Sequence, residues 1–182
     1  MKKGDKMADI SIIVGAPNDK SRLNGILDYA TSLLSRRNIS YEIIKIHALP
    51  AKDLITANFN SNEIKKANKI VEHSLGVLVL TPVYKASYSG ILKTYLDLLP
   101  QKGLENKAVL PLVIGGSFGH LLTIEYALNP VLSSLGATHI VKGVYIIDQH
   151  IERTNDQTFF IQEETKQRLQ KSLDIFIKSI KS

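Results

Sequence analysis

The chain has 182 residues, 44% of them hydrophobic, a length and apolar content that fit one domain with a sizeable core. It contains no cysteine, which excludes disulfides, thiolate metal sites, iron–sulfur clusters and cysteine nucleophiles, so redox chemistry here needs an organic cofactor. Of the formal charge of +6, Lys2, Lys3, Lys6 and Asp5 hold +2 and the rest is dispersed, which argues against a nucleic-acid partner and for a surface suited to anionic small molecules.

Residues 1–7 read as a disordered leader that runs into a strand rather than into a signal-type apolar region. No stretch approaches the roughly 20 apolar residues of a membrane span, so a cytoplasmic protein with no membrane partner is expected. Apolar, β-rich runs lie at 9–15, 41–46, 75–81, 107–115 and 139–147. Between them fall segments of helical spacing at about 21–37, 61–73, 89–99 and 120–135, with a last one near 160–181. This alternation predicts right-handed βαβ units in a single domain, 1–182, with a three-layer, doubly wound sheet of five parallel strands. The near-continuous hydrophobicity of the first, third and fourth runs predicts strands covered on both faces. Pro111 in the fourth run predicts a local irregularity, because proline cannot donate to the ladder. Irregular structure is expected at 47–61, where Pro50, Asn58 and Asn60 fall.

In such sheets ligands bind beyond the carboxyl ends of the strands, so the loops after the first, third and fourth runs carry the chemistry. The first loop, 15–24, feeds a helix expected to start near Ser21. A helix N-terminus with the Ser21 hydroxyl, the Arg22 guanidinium and the Asn24 amide behind it suits a phosphate. Ser21 alone is equally an ordinary N-cap. The loop lacks both the dinucleotide and the P-loop glycine patterns, which points to a single phosphate.

The second loop, 81–90, places Tyr84 and Tyr88 between Pro82 and Gly90, an arrangement suited to a flat heteroaromatic ring such as a flavin. In the third, Gly115 and Gly116 allow close backbone approach to a ligand. The same run, Gly115-Gly-Ser-Phe-Gly119, also matches the nucleophile elbow of serine hydrolases, with Ser117 as nucleophile and Asp148 and His150 following in the right order. Those two lie only two residues apart, an awkward spacing for one to orient the other. The five histidines are scattered with no helical i, i+4 pair, so no metal site is expected.

Three blocks resemble the NADPH-dependent FMN reductase family, especially the reductases that supply reduced flavin to alkanesulfonate monooxygenases. They are Gly15-Ala-Pro17 with Ser21-Arg22, residues 81–100, and residues 109–122, extended by 126–132. The resemblance implies a flavodoxin-like fold, FMN as substrate or loosely held cofactor, and hydride transfer to flavin N5 from NADPH, with NADH as the alternative donor. It assigns Ser21, Arg22 and Asn24 to the phosphate, and Pro82, Val83, Tyr84, Lys85 and Ser87 to one side of the isoalloxazine. Gly115, Gly116 and Ser117 fall on the other side, and no side chain is required as a catalytic acid or base. The first loop departs from the family pattern, with Ala16 where many relatives have serine and Asn18 where many have arginine.

By the same resemblance Tyr126 is the counterpart of a tyrosine that makes a π-helical bulge at a tetramer interface, and a homodimer or homotetramer is expected. A monooxygenase partner follows from the sulfonate-linked relatives. The stripe Leu92, Tyr95, Leu96 and Leu99 suits either the core or an oligomer contact. An FMN-containing quinone or azo reductase, or an electron-carrying flavodoxin, would share most of these features.

Overall fold

The computed structural model describes residues 8–154 and 158–181; the segment 1–7, expected to be a leader, lies outside them. In chain order, β1 (Ile10–Val14) leads to α1 (Leu23–Arg36), β2 (Tyr41–Lys45), α2 (Ala51–Ile55) and α3 (Asn62–His73). Next come β3 (Gly76–Tyr84), the short β4 (Ser87–Tyr88), α4 (Gly90–Leu96) and β5 (Ala108–Gly115). After a π-helical turn at Ile124–Leu128 follow α5 (Asn129–Ser134), β6 (His139–Ile140) and β7 (Val144–Ile147). The chain closes with β8 (Ile151–Arg153), β9 (Phe159–Ile161) and α6 (Glu163–Ser179).

The parallel strands run in the order β2-β1-β3-β5-β6, with β7 also on β5, the flavodoxin arrangement whose direction of winding switches between β1 and β3. Every residue of β1 and β5 is buried, as strands covered on both faces require. One face of the sheet packs against α1 and α6 through Leu23, Leu27, Leu169 and Phe176. The other packs against α3, α4, the π turn and α5 through Val71, Tyr95, Ile124 and Leu132. Leu92, Tyr95, Leu96 and Leu99 are all buried in that second layer, so the stripe is core rather than contact surface.

Pro111 stays within β5, opposite Val79, and the irregularity falls on the neighbouring edge. Pairing with β6 ends at Val109↔Ile140 and resumes with β7 at Leu112↔Val144, so the edge carries one extra residue where Pro111 offers no N–H. The fifth strand is therefore split in two.

Helix ends follow local chemistry. Ser61 caps α3 by accepting from the Ile64 amide, and Glu163 and Glu164 occupy the first turn of α6. Lys107 closes the other end of α3, its Nζ donating to the Glu72 and Ser74 carbonyls at 2.8 and 2.6 Å. The segment expected as a helix at 120–135 is a 3₁₀ turn, the π turn and α5 in succession, and the hairpin β8–β9 had no counterpart in the sequence reading. Among the described residues no helix is long and apolar enough to cross a membrane.

Candidate functional site

The carboxyl ends of β1, β3, β5 and β7 open into one cleft of about 450 Å³, within the size range of small-molecule sites. The loop after β1 is pinned from several sides. The Gly15 amide donates to the Leu80 carbonyl at 2.8 Å, and the Gly15 carbonyl accepts from Ser89 Oγ at 2.7 Å. His47 Nδ1 lies 3.1 Å from the Ala16 carbonyl. Asp19 receives Lys45 Nζ at 2.7 Å and has His47 Nε2 at 3.6 Å; the hydrogen bond from Lys45 holds its carboxyl below the usual carboxylate range.

The turn into α1 starts two residues later than expected, at Leu23. Ser21 Oγ accepts from the Leu23 amide at 3.2 Å. The buried Asn24 amide donates back to the carbonyls of Asp19 and Ser21 at 3.1 and 3.0 Å, so its NH₂ group shapes the loop from within. Ser21 and Arg22 line the cleft together with Lys20, and Asn24 does not. Arg22 Nη1 meets Asp148 Oδ2, at the end of β7, at 3.3 Å, with both side chains partly exposed.

β3 runs on past Thr81 and turns back into β4 through Lys85 and Ala86, with φ of 49° and 61°. Two central residues in the left-handed region are the signature of a type I′ hairpin, normally filled by Asn-Gly. Here neither residue is glycine, so the turn carries strain. Thr123 Oγ1, just before the π turn, donates to the Ala86 carbonyl at 3.1 Å and ties the tip down. Pro82, Val83 and Tyr84 line the cleft, while Lys85 and Ser87 sit at the turn beyond its wall. At the base, the Ser89 amide donates to Thr81 Oγ1 at 3.0 Å, and Ser89 Oγ caps α4 by accepting from the Leu92 amide at 3.3 Å. Through its bond to Gly15, Ser89 links the first two loops.

At the end of β5, Gly115 is buried beneath Tyr145, whose hydroxyl donates to the Ser117 carbonyl at 2.7 Å. A Cβ on Gly115 would collide with the Tyr145 phenol and lie 3.2 Å from Val83 Cβ. A Cβ on Gly116 would meet nothing within 4 Å. Burial raises the pKa of Tyr145, keeping the phenol a donor. Both glycines line the cleft and Ser117 does not.

The nucleophile-elbow alternative fails on geometry. Ser117 Oγ accepts from the Gly119 amide at 3.1 Å, Asp148 pairs with Arg22, and His150 Nδ1 lies 3.1 Å from Thr165 Oγ1. The three residues of the proposed triad have three separate partners. Cleft residues that no motif in the sequence marks are Lys20, Asp148 outside its hydrolase role, and Arg153 and Phe159 from β8–β9. Strands of three residues are too short to leave a periodic signal.

The π turn at Ile124–Leu128 contains Tyr126, whose side chain points outward at 78% exposure, and Glu125 Oε2 accepts from the Asn129 amide at 2.9 Å. Phe118, Leu121 and Leu122 on the preceding turn are also exposed.

Strand order and cleft position define a flavodoxin-like α/β protein whose cleft lies at the β1/β3 switch point, where such sheets bind their ligands. The family model for NADPH-dependent FMN reductases matches residues 8–152. An FMN reductase (NADPH) of Pseudomonas putida is 40% identical over 139 residues, covering 76% of this chain and 71% of that protein. Its counterpart in Escherichia coli K12 is 41% identical over 139 residues, 76% of this chain and 73% of that one. The crystal structure of the apo form of EmoB, an NADH:FMN oxidoreductase, superposes with a TM-score of 0.84 at 32% identity, covering 95% of this chain and 90% of that one. The chain belongs to the NADPH-dependent FMN reductase family. It is an oxidoreductase whose small molecules are FMN and a reduced nicotinamide.

Proposed function

We propose that the protein is a cytoplasmic enzyme that uses NAD(P)H to reduce FMN arriving from solution and hands the reduced flavin to a flavin-dependent monooxygenase. The observation that carries this proposal is the convergence of the three loops on one cleft with a cationic end and an apolar, glycine-floored end. At the cationic end Ser21 and Arg22 would hold the phosphate, in a loop whose shape Asn24 maintains. At the other, Pro82, Val83 and Tyr84 would flank the isoalloxazine, with Lys85 and Ser87 at the turn and Ser117 holding the facing loop in place.

Gly115 and Gly116 bring backbone to the ring without side chains. The open space beside Gly116 is volume that a Cβ would fill, which fits a flat ligand. Bound there, FMN supplies an N5 that accepts the nicotinamide hydride directly. The chain contributes position and electrostatics, and no side chain is needed to move a proton. Departure of the flavin is favoured by Asp148, which already occupies Arg22 and competes with the phosphate.

The exposed apolar group Phe118, Leu121, Leu122 and Tyr126 supports self-association into a homodimer or homotetramer through the π turn. The test of the reaction is NADPH oxidation by the purified protein with added FMN and with a quinone as rival acceptor. Turnover that saturates with free FMN is expected. Turnover with the quinone alone, with yellow colour retained through purification, would instead make the protein a quinone reductase with resident flavin.

A further inference from the structure

We infer that Arg153, on the hairpin β8–β9, is a second guanidinium for the phosphate monoester of the flavin. The inference rests on the proposal that FMN occupies the cleft with its phosphate at Arg22. Arg153 and Phe159 are register partners across the hairpin, and the guanidinium carbon stands 5.7 Å from the Phe159 ring centroid. Such cation–π stacking holds the charge against one wall without neutralising it. Both residues line the same cleft as Ser21 and Arg22.

The hairpin is pressed onto the start of α1. A Cβ on Gly25 would lie 2.8 Å from Phe159 Cβ and 3.0 Å from Ile151 Cγ2, so glycine there permits the close approach. That packing, with Arg153 paired to Phe159 across the hairpin, places Arg153 at the α1 end of the cleft. Charge bookkeeping points the same way. Lys20, Arg22 and Arg153 against Asp148 leave the cleft with a net charge of two positive units, and a phosphate monoester carries about −1.5 to −2 at neutral pH. Arg22 gives one N–H to Asp148 at 3.3 Å and keeps its other donors, and Arg153, whose contact is the Phe159 ring, adds a second set of donors for the ligand's oxygens.

The test measures FMN and riboflavin dissociation constants by flavin fluorescence for the unsubstituted protein, Arg153→Gln and Arg153→Lys, with KM for NADPH and NADH alongside. Arg153→Gln should weaken FMN on the order of tenfold while leaving riboflavin unchanged, and Arg153→Lys should recover part of the loss. Unchanged FMN binding in Arg153→Gln overturns the inference, as does equal weakening of FMN and riboflavin, which would mark a purely structural role. A raised KM for NADPH alone, with NADH and FMN unmoved, overturns it by reassigning the guanidinium to the 2′-phosphate of the nicotinamide nucleotide. If the unsubstituted protein binds riboflavin as tightly as FMN, the phosphate assignment of the whole cleft fails, a result distinct from failure at Arg153.

Discussion

Adjacent glycines at the end of β5 do different work. Gly115 makes room for the Tyr145 phenol on its way to the Ser117 carbonyl, whereas Gly116 borders only open cleft. Gly115→Ala should therefore cost about 1–3 kcal/mol of overpacking, lowering Tm by roughly 2–4 °C per kcal/mol for a chain of this size. Gly116→Ala should move stability by no more than about 0.5 kcal/mol while raising the KM for FMN several-fold. Thermal unfolding and FMN saturation curves of the pair check this, and a reversed pattern would misassign the two positions. Asp148 gives a second residue-level expectation. Its carboxylate shares Arg22 with the ligand phosphate, so Asp148→Asn should tighten FMN about two- to fivefold, with riboflavin unaffected, in a fluorescence titration. Weaker FMN binding would show instead that Asp148 orients Arg22 for the phosphate. The two glycines were legible as a point of close backbone approach, but the role of Asp148 was not, because its only sequence signal was its spacing from Ser117 and His150, which suggested a different chemistry.

The strained element is the β3–β4 hairpin. Lys85 and Ala86 both hold left-handed backbone, and Thr123 fastens the tip from the foot of the π turn. Ala86→Gly should relieve strain by more than the added chain entropy costs, a net gain of about 0.5–1 kcal/mol visible as a higher Tm. A lower Tm would mean that the turn is not held as described. The same element shows how far sequence reaches. Pro82, Tyr84 and Gly90 announced a loop suited to a ring, but a type I′ turn lacking asparagine and glycine leaves no local signature. The π turn was foreseen only through the resemblance carried by Tyr126. The split fifth strand was foreseen as a disturbance at Pro111, yet it falls on the neighbouring edge, because a proline in a buried strand disturbs the partner that loses its donor.

At the scale of the whole chain the doubly wound architecture was readable, since five apolar runs alternating with helical spacing leave few topologies once crossovers are right-handed. The β8–β9 wall was not, because each strand is three residues long and its cleft residues act only after folding beside α1. Self-association belongs to this scale. Sedimentation should show a mass above the 20.2 kDa of one chain, and Leu122→Asp, on the exposed face beside Tyr126, should return it to a single chain. A monomeric unsubstituted protein would remove the oligomer proposal. The reaction itself is tested most directly by initial rates of NADPH oxidation against FMN concentration, for the unsubstituted protein and Arg22→Ala. FMN reduction at this cleft requires saturable turnover and a KM for FMN raised about tenfold or more in Arg22→Ala, with NADPH saturation little changed. An identical KM in the two proteins, or no saturation with FMN at all, would contradict it.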